Sequence, residues 1–251
     1  MWQVLILFAA AVHVAQSSLP LPPYIKACIR GEPNFNECAV KHGREAFPHL
    51  IPGDRKYNFP PLDPIQIDEI KVIEGGPRAA SLNLVLRNAK IYGVRNTTIE
   101  NFTYDFENQH IQHRLFIPKV EILAQYEASG RILLLPLFGK GDMNITLDNA
   151  HITYDEDYTL DVIDGRRHIR PKNPQAVAVP SRVYFQMDNL FNGDKFLSNQ
   201  MNEFLNENWK DIYKELSPTV FQVFTKIVVA MISRFDEIVS FDDMFPEKLP
   251  Q

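Results

Sequence analysis

The chain has 251 residues, 45% hydrophobic and 23% charged, which excludes a disordered or fibrous protein and supplies a sizeable core. Its 26 Lys and Arg against 31 Asp and Glu leave a net charge of −5. That balance excludes general nucleic-acid binding, because neutralising phosphates takes a basic surface.

Residues 4–14 are apolar except for His13, and Ala15-Gln16-Ser17 supplies the small-x-small pattern of a cleavage site. The pattern predicts a signal peptide over residues 1–17, and the run is shorter than the roughly 20 residues of a retained anchor. The expected location is therefore secreted and extracellular, with residues 18–251 as one domain. Cys28 and Cys38 are the two cysteines, and in an oxidising compartment they are expected to bond to each other. Nothing lies at finger-like spacing to make a zinc site. The sequons at Asn96, Asn101 and Asn144 are the expected glycosylation positions.

Prolines at positions 20, 22 and 23 lead into a short segment over 24–29 that ends at Gly31. A short helix is predicted from Asn36 towards Phe47, stopped by Pro48, followed by an extended lead-in to Pro64. From Ile65 the apolar period becomes two, and alternation returns around Leu82, Leu84 and Leu86, over 111–117 and 120–126, at Met143, Ile145 and Leu147, and at Val183, Phe185 and Met187. Turns are predicted at Ser129-Gly130 and Asp164-Gly165, with Gly139-Lys140-Gly141 as a further strand turn. The acids Asp155, Glu156 and Asp157 read as a solvated turn, and the basic run 166–170 as a solvated loop. The whole is a meandering antiparallel sheet with one apolar face.

From Asp194 the period becomes helical, through Phe196, Phe204, Leu205, Trp209, Ile212 and Leu216. Ser217-Pro218 reads as an interruption or a new start, and the pattern resumes from Val220 to Ile238. Continuous, this is about 45 residues, or roughly 70 Å. The second part is apolar over most of its circumference and has to be wrapped. Its run from Ile227 to Ile232, bounded by Lys226 and Arg234, reads as too short to cross a bilayer. The expected architecture is α+β: a long carboxy-terminal helix wrapped by a strongly curved antiparallel sheet, with an elongated apolar interior.

No Gly-x-Ser-x-Gly elbow, His-Glu-x-x-His or phosphate loop is present. His110 and His113 fall on opposite faces of one strand, and His151 and His168 read as isolated. No catalytic residue, cofactor or metal is therefore expected, and a hydrolase is the least favoured reading.

Several stretches resemble the takeout and juvenile-hormone-binding protein family of insects. These are Leu-Pro-Pro-Tyr-Ile-Lys-Ala-Cys at 21–28 followed by Cys38, and Leu-Asp-Pro-Ile-Gln-Ile at 62–67. Further matches are Asn-Ala-Lys-Ile-Tyr-Gly at 88–93, Leu-Pro-Leu-Phe-Gly-Lys-Gly at 135–141, Leu-Phe-Asn-Gly-Asp at 190–194, and Met-Asn-Glu-Phe-Leu-Asn-Glu-Asn-Trp at 201–209. They run in order along the chain, and a single cysteine pair resembles the takeout branch. The resemblance implies an α/β-wrap fold, an internal tunnel for a lipophilic ligand such as a terpenoid or fatty acid, and links to haemolymph transport, feeding, circadian output or chemosensory tissue. The alternative is a secreted immune or structural protein that contacts lipid surfaces, which the acidic balance disfavours. The nominated tunnel lining is Leu84, Leu86, Leu115, Phe185, Met187, Phe204, Trp209, Phe224, Ile227 and Met231, with ordinary core packing as the competing role at each. The expected partner is a lipophilic small molecule, without nucleic acid or stable membrane insertion.

Overall fold

The computed structural model describes residues 18–73, 81–133 and 135–248; the signal-peptide reading over 1–17 lies outside them. Seven antiparallel strands form one sheet: β1 (Ile65–Ile73), β2 (Ser81–Tyr92), β3 (Thr98–Asp105), β4 (His110–Ile132), β5 (Leu135–Ile163), β6 (Arg166–Val179) and β7 (Arg182–Met187). Among the described residues four α-helices accompany them: α1 (Phe35–Leu50), α2 (Lys195–Glu207), α3 (Trp209–Asp236) and α4 (Phe241–Met244). The order is β1-β2-β4-β5-β6, with β3 also on β4 and β7 also on β5. Strands β4 and β5, of 23 and 29 residues, each serve two neighbours in series along one edge. On β4, residues 110–116 pair with β3 and residues 121–131 with β2. On β5, residues 143–148 pair with β7 and residues 151–163 with β6.

Strands this long cannot stay flat, and single residues bend them. The buried set of β2 moves from Leu82, Leu84 and Leu86 to Ala89 and Ile91 across Asn88, whose φ is 52°. On β5 it moves from Met143 and Leu147 to Ala150, Tyr154 and Tyr158 across Asn149, whose φ is 49°. Asn tolerates this left-handed backbone better than other side-chain-bearing residues, so each flips the alternation and kinks its strand.

Several expected loops are strand. Ser129-Gly130 lies within β4, and the chain turns back beyond Ile132 instead. Asp164-Gly165 does turn, between β5 and β6. Gly139 and Gly141 lie inside β5, where the backbone of 188–190 presses on them: a Cβ on Gly141 would come within 2.5 Å of the Asp188 carbonyl oxygen. Close approach of backbone, not a turn, is why glycine stands there. The acids 155–157 are also part of β5, and the basic run 166–170 opens β6. Glu156 and His168 are buried, because inward positions on a strand alternate whatever their polarity. Arg167 pairs with Asp242, and Arg166 with Asp243 at 2.7 Å. His151 is not isolated either; its Nδ1 lies 3.0 Å from Glu100.

Helix α1 starts one residue earlier than predicted and runs through Pro48 to Leu50. It rests on β3, where a Cβ on Gly43 would meet the Phe102 ring at 2.6 Å. The break between α2 and α3 falls at Asn208, and α3 continues through Ser217-Pro218. Two asparagines one turn apart on α2 dock it to β7. Asn202 accepts from Met187 N at 2.9 Å and donates to Met187 O at 2.9 Å; Asn206 does the same for Phe185 at 3.0 and 2.7 Å.

The densest packing surrounds α2 and the start of α3, where Met201, Leu205 and Ile212 meet Leu82, Leu84, Leu86, Met143 and Met187. A neighbouring group joins Trp209 to Ile65, Ile117, Leu147 and Val183. The rest of α3 is different. Its buried residues are Trp209, Ile212, Thr225 and Asp236, and none of the apolar side chains after Ile212 is fully buried. Every fourth residue from Lys210 to Arg234 is exposed, making one solvent stripe. The helix lies between β1 and β6, with the Tyr213 hydroxyl donating to Ala178 O at 2.7 Å, and the sheet does not close around it. Contrary to the expectation from residues 227–232, α3 has the length and apolarity of a bilayer span, with a mean hydropathy of 1.5. In this fold part of that apolar surface borders the sheet and the spaces beside it, and Val220 is exposed.

Candidate ligand-binding site

The second half of α3 borders three spaces. On the β1 side, Val223, Ile227 and Met231 face Ile65 and Ile67 across a groove of about 720 Å³. On the β6 side, Phe221 and Thr225 face Ala176 and Ala178 across about 530 Å³. Beyond them, Ile232, Phe235 and Asp236 reach a cavity of about 310 Å³ roofed by α1. That α1 cavity is walled by Phe35, Phe47, Phe102, Tyr104, Ile111 and Phe245, among others.

The ten nominated lining residues divide between these spaces and the packed core. Ile227 and Met231 line the β1-side groove. Leu84, Leu86 and Met187 are buried around α2, and Trp209 is buried in the neighbouring group. Phe185, Phe204 and Phe224 pack against those groups. Leu115 is half-buried, paired with Ile99 and Ile152 across the sheet. Of the sequons, Asn96 and Asn101 are exposed, and Asn144 is half-buried and donates to Glu121 at 2.9 Å.

Cys28 and Cys38 form a disulfide that ties the lead-in segment to α1 at the rim of the cavity. His42 lies close to both sulfurs and donates from Nδ1 to Lys26 O at 3.0 Å. The trio does not fit a metal ion while the disulfide is intact, because bonded sulfurs are not thiolates.

Polar groups that sequence reading set aside converge on the α1 cavity. Tyr154 bonds to Glu156, and His113 Nε2 lies 3.1 Å from the Tyr104 hydroxyl. Asp236 faces the same space, and its backbone carbonyl accepts from His168 Nδ1 at 2.7 Å. Burial holds the Asp236 carboxyl well above its usual range, and the charge of Glu156 adds to the effect. Burial also raises Glu156 and pushes His113 down to about 4. His110, on the opposite face as expected, is raised by its 3.0 Å contact with Asp157. An apolar cavity with a few convergent polar groups of shifted pKa is the usual form of a small-molecule site.

Comparisons with known proteins bear on the family and the fold. The family model described as haemolymph juvenile hormone binding protein matches residues 4–246. The chain belongs to this family. The crystal structure of Takeout 1 of Epiphyas postvittana superposes with a TM-score of 0.75 at 26% identity, covering 84% of this chain and 96% of that one. The circadian clock-controlled protein daywake of Drosophila yakuba is 22% identical over 242 residues, 93% of this chain and 91% of its own. Its Drosophila melanogaster counterpart is 22% identical over 222 residues, 84% of each. The family identification and the curved sheet with its long helix were legible in the sequence. The α1 cavity was not: Glu156, Asp236 and His113 are scattered acids and a histidine with no motif.

Proposed function

We propose that this chain is a secreted carrier that holds a hydrophobic small molecule between α3 and the sheet. The observation that carries the reading is the second half of α3: an apolar helix whose side chains border three spaces instead of packing tightly. Burial alone suffices for such a role. At roughly 0.8 kcal/mol per methylene, a dozen such groups supply about 10 kcal/mol before the costs of association. Membership of a family described by hormone binding supports a lipophilic ligand, and the reading extends to a terpenoid, a fatty acid or a similar lipid. The disulfide fits an oxidising, extracellular compartment. The likeness to daywake supports a place in circadian physiology. Catalysis has no part in this reading.

The test is Ile227→Trp, which fills the β1-side groove. Affinity for a neutral long-chain fluorescent probe is expected to fall by about tenfold. Because Ile227 is only half-buried, the melting temperature is expected to hold. A large drop in melting temperature with probe affinity unchanged would show Ile227 to be core and refute the groove as a binding surface.

A further inference from the structure

The α1 cavity has a chemistry that a space for hydrocarbon alone does not need. Asp236 is 4% exposed, lines the cavity, and its Oδ2 has no hydrogen-bond partner among the described residues. Glu156, 3% exposed, is the second carboxylate on the wall and receives the Tyr154 hydroxyl. Buried acids of this kind are ordinarily paired with a base or a donor. The bases nearby are engaged elsewhere: Lys26 with Glu45 at the exposed rim, His42 with Lys26 O, and Arg170 with Asp161 and Glu237. His113 is neutral and in contact with Tyr104. The rings of Phe35, Phe102, Tyr104 and Phe245 line the same cavity as the two acids.

We propose that this cavity takes a lipophilic amine, its ammonium held by Asp236 and Glu156 and its hydrocarbon among the aromatic rings. The assignment rests on the carrier reading and adds the chemical class of the ligand. An ammonium brings three donors and the positive charge that both carboxylates and aromatic faces attract. A fatty-acid carboxylate would instead bring a third acid beside the two with no base to pair it, and an alcohol offers one donor and no charge. Burial favours the neutral form of Asp236, and an ammonium beside it favours the ionised form, so binding of the ammonium draws a proton from Asp236 to solvent.

The experiment is competition by dodecylamine, dodecanol and dodecanoate against a neutral fluorescent probe near neutral pH. It uses the wild-type chain, Asp236→Asn and Glu156→Gln. In wild type the amine is expected to compete at least about tenfold better than the alcohol, and the carboxylate worst. In Asp236→Asn the amine is expected to fall to the level of the alcohol, with the alcohol unchanged. Glu156→Gln keeps an acceptor for the Tyr154 hydroxyl and gives the same readout should Asp236→Asn fail to fold. An amine no better than the alcohol in wild type, or a preference that survives in the folded variants, overturns the proposal. If all three compete equally, only this assignment fails; if neither probe nor competitor binds, the carrier reading fails with it.

Discussion

Asp236 holds two parts of the structure at once, its carbonyl accepting from His168 of β6 while its carboxyl faces the cavity. The titration of that carboxyl leaves a mark on stability. A raised carboxyl binds more protons in the folded state than in the unfolded one across the window between the two pKa values. Its contribution is therefore present at acid pH and lost as pH rises through and above the ordinary carboxylate range. His113 works the other way: with its folded value near 4, it binds fewer protons when folded, and stability is lost as pH falls from about 6.5. The two effects oppose each other in the same window. Besides these, Glu156, Tyr104, Tyr154, Arg170 and Glu237 act on the site. Asp236→Asn removes one side of the balance. Its melting temperature relative to wild type is expected to climb from pH 4 to pH 7, followed by calorimetry in matched buffers. A difference that stays constant with pH would mean that Asp236 ionises normally in the folded chain.

At the scale of elements, α2 and β7 fit because two spacings nearly coincide. One helical turn separates Asn202 and Asn206 by about 6 Å, and alternate residues on a strand are about 6.8 Å apart. Each asparagine amide then presents an acceptor and a donor to one β7 residue, as a neighbouring strand would. Asn206→Ala is expected to cost about 1–3 kcal/mol by denaturant unfolding, because it leaves the Phe185 amide and carbonyl without partners. A cost below a few tenths would show that water replaces the side chain. The helix itself was legible, since Phe204, Leu205, Trp209 and Ile212 recur at helical spacing. Its docking was not, because an asparagine reads as polar surface until the strand beside it is known. The same limit hid Glu156. In β5 the kink at Asn149 turns even-numbered positions inward, and a phase change at one residue redirects every side chain after it. The α1–β3 contact adds a second check on this level. Gly43→Ala improves helix propensity by up to about 1 kcal/mol, yet the Phe102 ring stands in the way. The expected net result is a lower melting temperature, and a rise would show that α1 does not rest on β3.

Over the whole molecule, packing runs from dense to sparse along the helical rod. Around Leu205 and Ile212 the sheet and helices interlock, whereas from Ser217 to Asp236 the helix borders open space. Few buried contacts mean easier local opening. Amide exchange is therefore expected to be slowest in β2, β4 and β5 opposite α2, and faster in α1 and the second half of α3. A bound dodecyl ligand is expected to slow exchange in those latter segments first. Uniform protection along α3 in the free protein would contradict the gradient. The chain ends add a constraint of another kind. Leu19 pairs in parallel with Val239, the Arg30 amide donates to Pro246 O at 2.8 Å, and Phe245 walls the α1 cavity beside Phe35. These contacts join residues more than 200 positions apart, so they close only once both segments have left the ribosome. Residues 19–35 wait for residues 239–246, and the α1 cavity is walled only when both have been made. On the carrier reading proposed above, cargo enters a cavity that both of these segments have already built.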